Sequence, residues 1–422
     1  MKRGLFFCFI FFSVAYSSEF KEVNIESLSS TRILSIAQDS TGFIWIGTDD
    51  GLNRYDGFQN KVYRSDVFDE ATISGNRIWK IHVDKSNTTW VLTDRGICYY
   101  DALRDQFERI DTGSRPQHIQ DKNNTLYVST LNNGIYAINK ETKTVKNYLF
   151  DPLDPFSISS SKFSTHQTKP IAINGDNLWV GTMNGLNKIN INTGQAKRLY
   201  SNKTSYVKSD TITSLLFVDN VLYVGTTRGL GLYVETHNEI NETAYLGEFE
   251  SQHIINLFYI KETNAVGLVS KSKLGIVESG RISKIIKLDS PLKNVKDLNG
   301  GQYLLSSPSS TNALFLSVDL DNKNTYETNP IELSIPTNDM LLDNEGGAWL
   351  VGESGITRAN NIKTPATFIP SPNTKEISFA RFEQNIYVLN RNGIVRHSPD
   401  IEPVKTNSIP VKTTRNNKGL YV

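Results

Sequence analysis

Short apolar runs alternate along this chain with polar, glycine-rich punctuation, and the punctuation recurs at a regular interval. In the first clear unit, Arg32 to Gln38 predicts a strand, Asp39 to Gly42 a turn and Phe43 to Thr48 a second strand. Asp49 to Gly51 predicts a tight turn, Leu52 to Asp56 a third strand, and the Lys61 to Arg64 region a fourth. The second strand is almost continuously apolar rather than alternating, as expected where neighbouring sheets cover both of its faces.

The unit repeats. FIWIGTDDGLNRY (43–55) is followed by TWVLTDRGICYY (89–100), LYVSTLNNGIYAI (126–138), LWVGTMNGLNKI (178–189) and LYVGTTRGLGLY (222–233). Weaker copies stand at 265–277 and 302–316, and clearer ones at 348–358 and 386–396. The anchoring aromatics Trp45, Trp90, Tyr127, Trp179, Tyr223 and Trp349 recur with a period of roughly 40 to 50 residues where successive units keep one, which is one four-stranded blade. The fold class is therefore all-β, a β-propeller of four-stranded antiparallel blades.

Seven units fall between about residue 20 and residue 320, and propellers usually have four to eight blades. This count predicts one seven-bladed ring over 18–330, with 331–422 as the first blades of a second, incomplete ring. The alternative is that the last units close a single ring irregularly. Because GLYV (419–422) stops where other copies continue to Gly-Thr, the chain is expected to be the front part of a longer protein or a prematurely ended product of its gene.

The turns have their own chemistry. Asp-x-x-(Gly/Asn)-x-x-(Trp/Tyr) appears at Asp39/Gly42/Trp45, Asp84/Asn87/Trp90, Asp121/Asn124/Tyr127 and Asp343/Gly346/Trp349. An Asp carboxylate can accept the backbone N–H groups of its own turn, Gly or Asn can supply a positive φ, and the aromatic can pack between blades. Gly51, Gly96, Gly134, Gly185 and Gly229 are expected to close the second hairpin of their units.

Ile-x-x-Asp-x-x-Gly-x-x-Trp-Ile-Gly-Thr-x-x-Gly-Leu-x-x-Tyr, running here from Ile36 to Tyr55, resembles the two-component regulator propeller repeat. The resemblance implies the periplasmic sensor region of a hybrid histidine kinase or diguanylate cyclase, anchored in the inner membrane in full-length relatives through C-terminal parts this sequence does not contain. It also implies a small ligand, with an oligosaccharide as the leading class, and a homodimer in a full-length form. No kinase phosphoacceptor region or cyclase motif follows the repeats, so the chain as given is not expected to be an enzyme.

Lys2 and Arg3 precede an apolar run from Leu5 to Phe12 and small residues near Ser17, which reads as a signal peptide over 1–17 and predicts export to the periplasm. Outside that segment Cys98 is the one cysteine, in an apolar strand pattern, and is expected to be a buried small hydrophobe. A formal charge of +1 offers no field to gather nucleic acid.

The six histidines lack metal-ligand spacing, and DLDNKN (319–324) places Lys323 where a calcium ligand would be wanted, so neither metal nor cofactor is expected. If the strand before each Asp turn is innermost, the residues preceding it and those of the second hairpin share one rim of the channel. The ligand-binding candidates on that reasoning are Arg32, Asp49, Asp50, Arg77, Asp94, Arg95, His118, Asn132, Arg228 and His253, variable polar groups on a rigid frame. A protein-interaction scaffold is the alternative function, followed by a secreted propeller glycosidase or lyase.

Overall fold

The computed structural model describes residues 20–203, 207–234, 247–319 and 325–359, and beyond them five strands between 376 and 421. Segment 1–17 and most of the DLDNKN turn lie outside the described residues. Chain compactness separates Met1–Thr364 from Pro365–Val422. The second unit holds two antiparallel sheets, one of Glu376–Phe382, Asn385–Asn390 and Gly393–His397 and one of Thr414–Asn416 and Gly419–Tyr421.

Eight antiparallel sheets build the first unit, with blades spanning 33–63, 78–110, 116–148, 171–199, 212–234, 254–287, 294–332 and 339–359. In blade 1 the strands are Ile33–Gln38, Ile44–Thr48, Gly51–Tyr55 and Asn60–Tyr63, in that order across the sheet. Eight blades replace the seven and partial second ring that the repeat count predicts. The unit at 339–359, expected to open a new ring, is the last blade of the first, and a division at 330/331 falls within the ring.

Its outer strand comes from the other end of the chain: Lys21–Glu22 pairs antiparallel with Gly355–Ala359, in the register Lys21↔Arg358 and Glu22↔Thr357. Blade 8 also joins blade 1 directly, because Asn338 Nδ2 donates to the Ile33 carbonyl at 2.8 Å and Ser35 Oγ donates to Asp339 Oδ2 at 2.8 Å. Two exposed charged residues carry no hydrophobic signal, which is why the closure does not show in the repeat pattern.

The second strands are buried along most of their length, as in Ile44–Thr48. Trp45, Trp90, Tyr127, Trp179, Tyr223 and Trp349 pack on the following blade, whereas Tyr303 packs back on blade 6, whose own second strand carries no aromatic. Trp45 is fully buried among Ile73, Ile78, Ile81 and Val91. The glycine two residues later makes that approach possible: a Cβ on Gly47 would lie 2.5 Å from Ile78 Cγ2, and one on Gly181 2.4 Å from Ile212 Cγ2.

The Asp turns form as their chemistry predicts. Asp39 Oδ1 accepts the Thr41 and Phe43 N–H groups, both at 3.0 Å, while Oδ2 accepts Trp45 Nε1–H at 2.8 Å. Asp84 with Trp90 and Asp343 with Trp349 repeat that pattern, with φ positive at Gly42, Asn87 and Gly346. Blade 3 departs from it. There the positive φ falls on Asn123 instead of Asn124, the turn is shorter, and Asp121 bonds Lys140 Nζ at 3.0 Å.

The second hairpins are capped by the threonine of the repeat. Thr48 Oγ1 donates to the Gly51 carbonyl at 3.0 Å and accepts the Asp50 N–H at 3.0 Å, and Thr93, Thr182 and Thr226 do the same with Gly96, Gly185 and Gly229. Gly51, Gly96, Gly134, Gly185 and Gly229 all take positive φ.

Candidate ligand-binding site

The first strands of adjacent blades lie side by side, so they are innermost and wall the central channel. A cavity of about 830 Å³ opens there, lined mainly by first-strand residues of blades 1, 2, 3, 7 and 8. This volume is in the range of small-molecule sites, about 300 to 1,000 Å³.

The lining is cationic. Lys80, Arg115, Lys293 and Lys296 line it together with one carboxylate, Asp339. Burial raises the cost of ionising Asp339, but the Lys80 ammonium at 2.8 Å, the Ser35 hydroxyl and the Ile36 N–H overcome it and hold the carboxyl below its ordinary range. Lys293 lacks such compensation, and for Lys296 the charges of Asp339 and Asp297 offset burial only in part. Burial pushes Lys293 and Lys296 down, and the nearest polar contact of Lys293 Nζ is the Thr165 carbonyl at 3.4 Å. Among the described residues neither forms an ion pair.

His118 lies in the same cavity. Burial, and then the charges of Lys293 and Lys80, push its imidazolium down to about 3, so it is neutral at physiological pH. His82 is also pushed down by burial, although Asp121 Oδ2 stands 3.6 Å from its Nε2.

At the edge of blades 2 and 3 the guanidiniums of Arg77 and Arg115 both lie over the Trp79 ring, each 4.3 Å from its centre. Burial, with Arg77 close by, depresses Arg115. Arg77 Nε, Trp79 Nε1, Arg115 Nε and Gln117 Nε2 are all enclosed and none has a hydrogen-bond partner within the protein. Buried donors are ordinarily satisfied, so this run of donors with no acceptor is exceptional.

Of the ten sequence candidates, His118 lines the cavity and Arg77 rests on Trp79, which does. The other eight are placed elsewhere. Arg32 forms an exposed ion pair with Glu353 at 2.8 Å, and Asp50 one with Arg64 at 3.1 Å. Asp49, Asp94, Arg95, Asn132 and Arg228 occupy second-hairpin turns, anchored through their backbone N–H groups. His253 is partly buried, near Lys271 and His166.

Sequence reasoning does not reach Lys80, Arg115, Lys293, Lys296, Asp339 or Trp79. Trp79, Lys80 and Lys296 lie within innermost strands, in IWKIHV and NVKD, while Arg115 and Lys293 immediately precede such a strand and Asp339 begins one, positions the repeat leaves free. Among the described residues no group of His, Cys, Asp or Glu side chains is arranged to hold a metal, and Cys98 is buried, its thiol pushed up to about 11.

Residues 27–50 match the family described as two component regulator propeller. A 50-residue stretch, 12% of the chain, is 44% identical to Histidine kinase P4 of Formosa agariphila, of which it covers 4%. The extracellular domain of the putative one component system BT4673 from B. thetaiotaomicron aligns at 19% identity with a TM-score of 0.50, over 86% of this chain and 44% of that one. BamB from Moraxella catarrhalis aligns at 13% identity with a TM-score of 0.54, over 81% of this chain and 99% of its own. The two structural likenesses describe the fold. The chain spans less than half of that extracellular domain's length.

Proposed function

We propose, from a chain that carries a two-component regulator propeller repeat, that this protein is the ligand-binding sensor region of a two-component-type signalling protein. It works outside the cytoplasmic membrane, in the periplasm, and receives an oligosaccharide or another small extracellular ligand in the central channel. Catalytic output belongs to parts of a longer protein, a histidine kinase or a diguanylate cyclase. Among the described residues no helix is long and apolar enough to cross a membrane.

The observation that carries this reading is the 830 Å³ cavity together with the unpartnered donors at its edge, Arg77, Trp79, Arg115 and Gln117. Rigid blades hold these groups, and donors left without acceptors in the free protein gain them when a ligand arrives. A glycoside-cleaving role fits less well, since two carboxylates are required and the cavity lining offers one, already engaged with Lys80.

Calorimetric titration of the full chain with a panel of neutral and charged oligosaccharides tests the proposal. Saturable binding that is lost in Trp79→Ala supports it, and absence of binding across the panel by a folded sample overturns it. A protein-docking role is the second reading, favoured by Phe58 on blade 1, Phe68 in the connection to blade 2 and Leu103 on blade 2, which are 94%, 96% and 98% exposed. A partner that co-purifies without any small ligand would favour it.

A further inference from the structure

We infer that the channel ligand is an anion, a carboxylate- or sulfate-bearing sugar whose acidic groups sit among Lys80, Lys293, Lys296 and Arg115. This deepens the sensor reading and rests on it.

Charge balance is the first ground. The whole chain carries a formal charge of +1, yet the cavity lining sets four cations against one carboxylate, an excess of three. The surplus is therefore concentrated where the ring encloses it. Asp339 neutralises Lys80 alone by direct contact, at 2.8 Å.

Mutual repulsion is the second. Lys293 and Lys80 disfavour the charged form of His118, and Lys80 that of Lys296 against the attraction of Asp339 and Asp297, so these groups share one electrostatic neighbourhood. Withdrawn cations without partners weaken a fold, and a bound anion relieves both the desolvation and the repulsion. Polarity is the third: of the enclosed, unpartnered groups at the blade 2 and blade 3 edge, those of Arg77, Trp79, Arg115 and Gln117 are N–H donors, which complement carboxylate or sulfate oxygens, while His82 Nε2 can donate or accept. A neutral sugar also brings hydroxyl donors, for which the charged part of the lining has a single carboxylate acceptor.

The test is isothermal titration of the full chain with three probes, tri-galacturonate, a sulfated galactobiose and neutral galactotriose, each at low and high salt. The expected result is binding of one or both acidic probes at least tenfold tighter than galactotriose, weakening as salt rises. Lys293→Met and Lys296→Met should each reduce acidic-probe affinity about tenfold while thermal unfolding remains cooperative. Asp339→Asn, which removes the competing carboxylate, should raise it.

The two acidic probes separate carboxylate from sulfate recognition, and either one binding supports the inference. Galactotriose binding as well as the acidic probes, unchanged in the lysine variants, overturns the anionic assignment and leaves the sensor reading standing. No binding by any probe, in a folded sample, overturns both.

Discussion

The indole N–H of Trp45 donates to Asp39 Oδ2 at 2.8 Å, so the residue that shapes the first turn of the blade also fixes the aromatic that packs on the next one. Trp90 with Asp84 and Trp349 with Asp343 make the same bond. Trp179 has Ile173 six residues earlier, where the others have Asp, and its Nε1 is buried without a partner.

This contrast gives a paired prediction. Trp45→Phe removes the donor and leaves Asp39 Oδ2 unsatisfied in a buried place, at a cost of about 1 to 3 kcal/mol beyond the loss of ring volume. Trp179→Phe loses volume but no hydrogen bond, so it should cost clearly less. Urea unfolding of the two variants decides the matter; equal losses would show that the bond does not contribute.

Gly47 allows Ile78 of the next blade to seat against the second strand, and an added Cβ would lie 2.5 Å from Ile78 Cγ2. Gly47→Ala should therefore destabilise by about 1 to 3 kcal/mol through overpacking. An Ile78→Ala background removes Cγ2 but keeps Cβ, 2.8 Å from the added atom, so the same substitution should cost less there without becoming neutral. A double-mutant cycle by denaturant melts measures the coupling, and strict additivity would refute the contact as its cause.

Much of this architecture is legible because the repeat residues act locally. Asp39, Gly42, Trp45, Thr48 and Gly51 are all within one blade, and their spacing encodes the turns they form. Asp121 shows the limit of such reading, because shortening its turn moves the positive φ to Asn123 and releases the carboxylate to Lys140.

The candidate site is less legible for a geometrical reason. Lys80, Arg115, Lys293 and Asp339 come from four blades and meet through ring closure, which local spacing does not record. His118 is found from its position just ahead of a turn strand, whereas the hairpin aspartates share that polar character without reaching the cavity.

Ring closure itself is open to test. Deleting residues 20–25 removes the short outer strand of blade 8 and with it Ile25, which is buried against Trp349, Val351 and Ile356. The Gly355–Ala359 strand would then present an unpaired edge. The deletion should lower Tm and promote self-association relative to a chain lacking only residues 1–19, as followed by calorimetry and light scattering. An unchanged melting profile would show that this strand does not contribute to closure.

His118 makes stability depend on pH in a definite direction. Its imidazolium is disfavoured in the folded protein down to about 3, by burial and by Lys293 and Lys80, against an ordinary value of about 6.5 in the unfolded chain. Between those values the unfolded chain takes up a proton that the folded protein refuses, so acid favours unfolding. The contribution is fully present above pH ~6.5 and is lost as the pH falls, by up to about 1.4 kcal/mol per pH unit. Removing the imidazole in His118→Gln takes this proton out of the balance while leaving the similarly depressed His82 in place. Denaturant melts from pH 7 to 5 should show a shallower loss of stability for the variant than for the parent chain. Parallel curves would mean that His118 is protonated as readily in the folded channel as in water.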